Sequence, residues 1–362
     1  MIKVSAPGKI CIAGEWAVLD IGNPAIVSAV DKKVFAEIQK SKDGFIHISI
    51  EDFGIQDLKA SFDGDELKFE RDLTEKEQKD VLFFKSAVES MLKYFNNIKA
   101  FKIKTWGEGV TGFGSSAAST VAVVAGLFKV SGEDIQSRES KERIYKLSAI
   151  AHYLAQDRAG SGFDIAASTF GGTLVYRRFD PEWLVNQFEQ GKKIKEIVEA
   201  EWPGFYIEPI EIPEDFNLLI GWTGKSSSTS EMMKQMNKWK EKNMEEYKRI
   251  IGQIKDLVEQ LIKVWKVSNK EKILELARRN EDYLRELGNK SGVDIETEVL
   301  AKLSEIANRD NGAGKLSGAG GGDYGIAITF NKEDSERIKR EWEENGIKYV
   351  DTVLLSVGVK EC

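Results

Sequence analysis

Apolar residues follow two different spacings along this chain of 362 residues. Up to about residue 180, short alternating or clustered apolar runs indicate strands, and apolar residues three or four positions apart indicate helices. This spacing predicts strands over 3–5, 10–13, 25–38, 45–50, 101–105 and 173–179, and helices over 81–95, 141–156, 165–169 and after residue 116. Proline and glycine punctuate local structure, so Pro7-Gly8 is expected to break the first strand.

The second half of the chain has a helical spacing over most of its length. Residues 229–308 carry apolar residues every three or four positions among many Lys and Glu, which predicts an almost continuous series of helices. Further predicted elements are strands over 216–222 and 324–330, a helix from residue 333 and a strand ending near 359.

This change of spacing predicts the domain organisation. We expect an N-terminal domain over 1–180, a peripheral insertion or linker over 181–215 and a C-terminal domain over 216–362. Strands and helices do not alternate regularly, which favours an α+β fold over a doubly wound parallel sheet.

Composition and charge exclude several classes of protein. Hydrophobic residues make up 41% and charged residues 31% of the chain, as in ordinary globular proteins. The net charge of −7 argues against general nucleic-acid binding. No apolar run is long enough to span a bilayer, and the first residues lack the apolar core of a secretory signal. Cys11 and Cys362 are the two cysteines, so we expect a cytoplasmic protein without a membrane partner.

Histidine is too scarce for two common catalytic designs. The chain contains His47 and His152 alone, without an HExxH or CxxC pattern, which disfavours a zinc site and a Ser-His-Asp hydrolase. His152 shares a predicted helical face with Ile144 and Leu147. We therefore expect His152 to be hydrogen-bonded and partly buried rather than catalytic.

Glycine-rich segments are the strongest candidates for chemistry. The segment GVTGFGSS at 109–116 runs into an apolar helix, so loop and helix N–H groups can converge on an anion, most often phosphate. Further glycine turns are PGK at 7–9, RAGSGFD at 158–164 and KLSGAGGGD at 315–323. Each alone could be an ordinary turn, but together they favour a phosphate site. The Walker A pattern is absent, which excludes a P-loop enzyme.

Three of these segments resemble the signatures of the GHMP kinases, in the same order. They are PGKICIAGEWAVLD, GVTGFGSSAAST and KLSGAGGGDYGIAI. Within that superfamily, AHYLAQDRAGSGFDIAASTFGGTLVYRRF at 151–179 and GWTGKSSSTSEMM at 221–233 are similar to the phosphomevalonate kinase family. The resemblance implies a two-domain α+β fold. Its N-terminal domain would be mixed α/β, its C-terminal domain helix-rich, and the active site would lie between them.

The resemblance also implies an ATP-dependent phosphoryl transfer to (R)-5-phosphomevalonate, in the mevalonate pathway of isoprenoid biosynthesis. Lys9 would stabilise charge on the transferring group, and Asp164 would orient Lys9 and the acceptor, with a capping role for Asp164 also open. Ser116 is the candidate ligand of a Mg²⁺ cofactor. The residues expected to bind ATP are Gly109, Gly112, Phe113, Gly114, Ser115, Ser116 and Ala117.

A substrate with a carboxylate and a phosphate would be expected to face a cluster of cations. The candidate substrate-binding residues are Lys9, Ser161, Gly162, Arg178, Lys225, Ser228, Lys315, Ser317, Gly318, Ala319 and Gly320, with Arg158 and Arg177 as further cations. For each of the cations other than Lys9, a surface or structural role is the alternative.

The chain also departs from the pattern of its relatives. Related mevalonate kinases carry a magnesium-binding Glu eleven residues before the aspartate, and Tyr153 stands there in this chain. The alternatives are mevalonate kinase, another small-molecule GHMP kinase or a non-catalytic ligand sensor. The presence of Lys9, Asp164 and Ser116 argues against a sensor. We expect a monomer or homodimer with ATP and phosphomevalonate as its small-molecule partners.

Overall fold

A computed structural model describes residues 1–95, 97–109, 111–156, 160–309 and 311–362. Within these ranges, nine strands form the larger of two sheets. They are β1 (Ile2–Ala13), β2 (Pro24–Lys40), β3 (Ile46–Ile50), β4 (Ile55–Phe62), β5 (Leu67–Phe69), β6 (Phe101–Glu108), β7 (Thr173–Arg177), β8 (Tyr206–Ile210) and β13 (Lys360–Glu361). The main order is β13-β1-β2-β6-β3-β4-β5, and β7 pairs with β2 and carries β8. The β3–β6 pairing is parallel and the others are antiparallel.

Four helices pack on this sheet or against one another beside it. They are α1 (Glu75–Tyr94), α2 (Ser115–Val130), α3 (Arg138–Ala155) and α4 (Phe163–Phe170). Helix α2 is almost entirely apolar and lies against β1 and β2, where its side chains from Val121 to Phe128 are buried. A helix that is apolar all round must be enclosed, so this packing fixes the N-terminus of α2 beside β1.

The second half of the chain contains a four-stranded antiparallel sheet in the order β10-β11-β9-β12. Its strands are β9 (Asn217–Trp222), β10 (Ala313–Leu316), β11 (Tyr324–Thr329) and β12 (Lys348–Tyr349). The remaining helices are α5 (Pro181–Glu189), α6 (Ile194–Glu199), α7 (Thr229–Lys242), α8 (Met244–Lys266), α9 (Lys270–Ser291), α10 (Glu298–Arg309) and α11 (Lys332–Glu344). Helices α8 and α9 pack on each other, and their core also contains Ile12, Trp16 and Ile26 from the first half.

Most of the predicted elements are present, with two corrections. The strand expected to end near residue 359 is not formed there: residues 350–359 carry an isolated bridge at Leu354, and β13 covers Lys360–Glu361. Pro7-Gly8 does not break the first strand, because β1 runs through both residues and absorbs them in a register shift against β2. The predicted insertion 181–215 contains α5, α6 and β8, and β8 extends the larger sheet beside β7. In the described part of the chain, every helix is too short or too polar to cross a bilayer.

Candidate active site

The strand β1 brings Lys9 to the glycine-rich loop at 109–116. The backbone N–H of Lys9 donates to the carbonyl of Phe113 at 2.8 Å. A Cβ at Gly8 would lie 2.8 Å from that same carbonyl oxygen, so only glycine permits the loop to approach the strand this closely. The backbone contact therefore fixes where the Lys9 side chain begins.

The loop itself is shaped by glycines in the left-handed region. Gly109, Gly112 and Gly114 have φ values of 63°, 77° and 81°, which side-chain-bearing residues adopt at a cost. Helix α2 begins directly after Gly114, at Ser115, without a side-chain cap. The first N–H groups of this helix are therefore available to an anion, as the sequence predicts.

Helix α4 places Asp164 close to Gly114 and to Lys9. A side-chain carbon added at Gly114 would lie 3.3 Å from Cγ of Lys9 and 3.7 Å from Cβ of Asp164. The hydroxyl of Ser168 donates to the carbonyl of Pro7 at 2.7 Å and so ties α4 to β1. Oδ1 of Asp164 accepts from the N–H of Ile165 at 2.9 Å, which gives the carboxylate a local fixing contact.

Among the described residues, Lys9 and Asp164 lie close together but form no ion pair with each other. The Lys9 ammonium lies 5.8 Å from the centroid of the Phe163 ring, a cation–π distance. Both side chains line the same cavity. A bound anionic group can therefore enter between the lysine and the N-terminus of α2 without first breaking a salt bridge.

A pair of buried tyrosines packs against the glycine turn around Gly160 and Gly162. The hydroxyls of Tyr145 and Tyr176 lie 2.8 Å apart, and that of Tyr176 donates to the carbonyl of Ser161 at 2.6 Å. Gly162 has a φ of 82°, and a Cβ there would lie 3.0 Å from the Tyr176 hydroxyl. Burial raises the pKa of both phenols above the ordinary value, so they stay protonated donors. Sequence reasoning missed this pair.

Ser116, the predicted magnesium ligand, is held by a histidine. Its hydroxyl lies 3.1 Å from Nε2 of His152. His152 is buried, its ring packs on Phe83 at 4.8 Å, and burial lowers the pKa of the imidazole, which keeps it neutral near pH 7. The predicted hydrogen bond of His152 is confirmed, and the side chain is more deeply buried than expected.

The glycine segment at 315–323, from the C-terminal half of the chain, forms another wall of the site. Ser317 bridges the backbone of Cys11: its hydroxyl donates to the Cys11 carbonyl at 2.8 Å and accepts from the Cys11 N–H at 3.0 Å. The indole N–H of Trp16 donates to the carbonyl of Ala319 at 3.1 Å. These contacts join β1 and the turn that follows it to the segment 317–320, across about three hundred residues of sequence.

The serine-rich segment before α7 forms another part of the wall. Ser226 and Ser227 of this segment face the cavity, together with Thr229 and Ser230 at the start of α7. The hydroxyl of Ser227 donates to Oδ2 of Asp323 at 3.1 Å, and the N–H of Asp323 donates to the carbonyl of Lys225 at 2.7 Å. The wall thus consists of hydroxyl and backbone donors with one carboxylate.

All these elements surround a cavity of about 440 Å³, a volume typical of small-molecule sites. The predicted site residues that line it are Lys9, Gly112, Gly114, Ser115, Ser116, Ser161, Asp164, Ser317, Gly318, Ala319 and Gly320. Those that do not are Gly109, Phe113, Ala117, Gly162, Arg178, Lys225, Ser228 and Lys315. Phe113 and Ala117 are buried, and Gly109 and Gly162 shape the turns.

The predicted role of Lys315 needs correction. Its side chain is fully buried and pairs with the carboxylate of Glu15, which is equally buried. A charge enclosed in this way is committed to its partner, because separating the two would leave Glu15 unpaired in the interior. The position of Lys315 therefore does not support direct contact with a substrate.

The other predicted cations are also engaged or distant. Arg178 is buried and donates to the carbonyl of Leu19 at 2.6 Å, and Arg177 pairs with Glu259 at 2.7 Å. Lys225 is exposed outside the lining, and Ser228 caps helix α7 by accepting from the N–H of Glu231. Lys9 is the one cation among the described lining residues. Arg158 lies outside the described residues.

Among the described residues, the cavity wall offers backbone N–H groups rather than the expected cluster of cations. Three glycine-bearing turns and the N-termini of α2 and α4 supply N–H donors, which bind anions without a charged side chain. Glu15, Trp16 and Asp323 also line the cavity and were not predicted. All three lie inside the glycine signatures, so reading those motifs beyond their glycines and serines could have found them.

The donors present suit a hard cation held jointly with phosphate. Mg²⁺ is often bound through one or two protein oxygen ligands and substrate phosphates, and Ser116 and Asp164 offer a hydroxyl and a carboxylate to one cavity. Groups of three or more His, Cys, Asp or Glu side chains that could hold a metal by themselves are absent from the described residues. Tyr153, at the position of the missing Glu, is buried.

Comparison with known proteins agrees with this arrangement. Residues 83–172 match the GHMP kinases N terminal domain, and residues 257–348 match the GHMP kinases C terminal domain. Phosphomevalonate kinase of Saccharolobus solfataricus is 31% identical, over 97% of this chain and 96% of its own. That of a Streptomyces species is 28% identical, over 94% of both.

A solved structure shares the fold. Streptococcus pneumoniae phosphomevalonate kinase in complex with phosphomevalonate and AMPPNP has a TM-score of 0.82 at 24% identity, covering 98% of this chain and all of that one. Mevalonate kinases match as well, for example that of Pyrococcus abyssi at 28% identity over 94% of this chain and 92% of its own.

The chain belongs to the GHMP kinase family, which makes it an ATP-dependent kinase with the predicted two-part α+β architecture. Within that family, the relatives that match over nearly the full length include phosphomevalonate kinases, as the GSGFD and WTG segments predict, and also mevalonate kinases.

Proposed function

We propose that this protein transfers the γ-phosphoryl group of ATP to the phosphate of (R)-5-phosphomevalonate, giving ADP and 5-diphosphomevalonate. The observation that carries the proposal is that Lys9 and Asp164 both lie next to Gly114, at the N-terminus of α2. Full-length relatives that are named phosphomevalonate kinase support the choice of acceptor.

The nucleotide phosphates would lie along Gly112 to Ser116, where the backbone N–H groups and the helix dipole favour negative charge. Ser116, oriented by His152, would hold Mg²⁺ together with phosphate oxygens, and Asp164 is within the same cavity. When bound, the metal ion offsets charge that develops on the phosphoryl oxygens.

The acceptor would lie between Lys9 and the C-terminal wall. Its phosphate oxygen attacks the γ-phosphorus of ATP, the bond to the bridging oxygen breaks, and ADP leaves. A phosphate monoester has a second pKa of about 6 and is mostly deprotonated near pH 7, so this acceptor needs no strong general base. Asp164 then serves chiefly to orient the acceptor and Lys9, while Lys9 stabilises the transferring group.

Mevalonate kinase is the alternative, because mevalonate kinases match this chain at an identity similar to that of the phosphomevalonate kinases. Its acceptor is an alcohol, which must lose a proton, and Asp164 would then act as a general base. The cavity fits either role. The choice therefore rests on a direct comparison of the two acceptors.

The test is an ADP-release assay with Mg²⁺ and ATP, run separately with phosphomevalonate and with mevalonate. We expect turnover with phosphomevalonate and none above the ATP-only background with mevalonate. Lys9→Met should abolish turnover while leaving the protein folded. Turnover with mevalonate alone would assign the alternative, and ATP binding without turnover on either would indicate another acceptor or a sensor. We expect the protein to be cytoplasmic and to act as a monomer or homodimer.

A further inference from the structure

A tyrosine of the C-terminal sheet lies against the glycine loop of the N-terminal half. Tyr324 is the first residue of β11, where it pairs with Trp222 of β9. Its hydroxyl donates to the carbonyl of Thr111 at 2.9 Å, across 213 residues of sequence. This contact reaches the tip of the loop, just before the segment that lines the main cavity.

The tyrosine ring makes two further contacts with the same loop. It stacks on Phe113 with a centroid distance of 4.2 Å and an interplanar angle of 27°. A Cβ at Gly112 would lie 2.3 Å from Cε2 of Tyr324, so the ring sits directly against the Gly112 backbone. Three consecutive loop residues are thus held by one side chain, through a hydrogen bond, close packing and stacking.

The backbone just before Tyr324 is held in place by hydrogen bonds. The preceding residue, Asp323, has a φ of 50°, a conformation that non-glycine residues keep only where the surroundings hold it. Its carbonyl accepts from the N–H of Thr223 at 2.9 Å and its carboxylate accepts from Ser227. Tyr324 is therefore anchored to the serine segment of the cavity wall as well as to β9.

We propose that Tyr324 is a positioning residue for nucleotide binding, which holds the loop 111–113 so that the N–H groups after it face the ATP phosphates. The proposal rests on the proposed function only in taking this loop as the ATP site. Burial and the nearby Asp323 raise the pKa of the Tyr324 phenol, so its hydroxyl remains a donor at neutral pH. Phe113 acts through its ring contact with Tyr324 rather than by touching the nucleotide.

Two substitutions separate the contacts. Tyr324→Phe removes the hydrogen bond to Thr111 and keeps the ring, whereas Tyr324→Leu removes both. Tyr349→Leu is the matched control, because Tyr349 lines a second cavity together with Tyr324, Thr111 and Gly112. Among the described residues, however, its ring is contacted by the Lys339 ammonium and forms no hydrogen bond or ring stacking with residues 111–113. Each variant is first checked for an unchanged fold by its melting temperature without nucleotide.

The measurement is the Kd of ATP with Mg²⁺ by calorimetry, without any acceptor, followed by KM values for both substrates. We expect the Kd and KM of ATP to rise about threefold to tenfold in Tyr324→Phe, the size expected for one hydrogen bond. The rise should be larger in Tyr324→Leu and within twofold of wild type in Tyr349→Leu. The KM of the acceptor should change less than twofold in all three, and the retained ring should make Tyr324→Phe the milder variant.

Three results would overturn the proposal, in two different ways. Wild-type ATP affinity in a folded Tyr324→Leu variant, or an equal rise in the KM of both substrates, would contradict the positioning role alone. Failure of the wild-type protein to bind ATP would contradict the proposed function and the positioning role together.

Discussion

Lys315 donates to the carboxylate of Glu15 inside the protein, and neither side chain is exposed to solvent. Lys315 also donates to the carbonyl of Leu316, so the ammonium group has partners on both sides. Glu15 belongs to the first glycine signature and Lys315 to the third. The pair therefore links the two halves of the site from the interior, although the sequence presents the lysine as a candidate for substrate contact.

Breaking this pair should cost stability more than substrate affinity. Lys315→Met leaves Glu15 charged and unpaired, which we expect to lower the free energy of unfolding by about 3–5 kcal/mol. The double variant Glu15→Gln/Lys315→Met should recover much of that loss, as measured by urea unfolding. Unchanged stability together with a selective tenfold rise in the KM of phosphomevalonate would restore the substrate-binding role.

The buried carboxyl of Glu281 on helix α9 predicts a pH dependence of stability. Desolvation raises its pKa to about 8, against an opposing effect of Lys315 and with a further raising effect of Glu296. A pKa above the unfolded value near 4.5 gives stability that is fully present below pH 4.5 and is lost as the pH rises through 8.

Glu281→Gln should therefore flatten the fall in unfolding free energy between pH 5 and pH 8. The amide can still accept from the N–H of Leu316 and contact Ser304, as the carboxyl does in the native protein. Glu271→Gln, at an exposed position of the same helix, should leave the slope as it is in wild type. An equally steep slope in Glu281→Gln would show that another group causes it.

Two glycines of the third signature offer a matched comparison. Gly318 and Gly320 have similar φ values of 89° and 82°, so alanine at either position meets backbone strain of about 1 kcal/mol. At Gly320 the new Cβ would also lie 2.1 Å from the carbonyl oxygen of Ile295, whereas at Gly318 nothing lies within 4 Å. Gly320→Ala should lower the midpoint of urea unfolding clearly more than Gly318→Ala. Equal midpoints would mean that the segment relaxes away from Ile295.

The pH profile of Asp164→Asn distinguishes an orienting aspartate from a base. Because the phosphate acceptor is mostly deprotonated at about pH 7 and above, we expect a loss in kcat/KM that stays nearly constant between about pH 7 and pH 8. The control is Asp294→Asn, on an exposed residue outside the cavity lining. A loss that grows steadily as the pH falls below about 6 would instead assign Asp164 as the general base.

Local sequence patterns predicted the secondary-structure elements and the glycine turns. They did not predict which residues distant in sequence pair with each other in the fold. The spacing of apolar residues located α3 and the end of α1 to within a few residues, because helix amphipathicity is a local property, but it missed the first six residues of α1. The break expected at Pro7-Gly8 failed because pairing with β2 absorbs the irregularity in a register shift. Tertiary pairing of this kind is not visible in the local composition.

The same reasoning explains which site residues were found. Lys9, Ser116 and Asp164 stand next to glycines whose conformation draws backbone segments together, so their place in the cavity follows from the motif. The burial of the Lys315 ammonium depends on its pairing with Glu15, 300 positions away, and the hydrogen bond of Tyr324 depends on Thr111. Burial and pairing at such separations arise from the fold as a whole.

The most direct test of the central claim is phosphorus NMR of a reaction containing the protein, ATP, Mg²⁺ and phosphomevalonate. The account predicts that the single resonance of the acceptor phosphate is replaced by two coupled resonances of a diphosphate, in step with the conversion of ATP to ADP. The Lys9→Met variant should leave the spectrum unchanged. An acceptor resonance that stays single while ATP is consumed, or a second monoester signal, would contradict transfer to the phosphate.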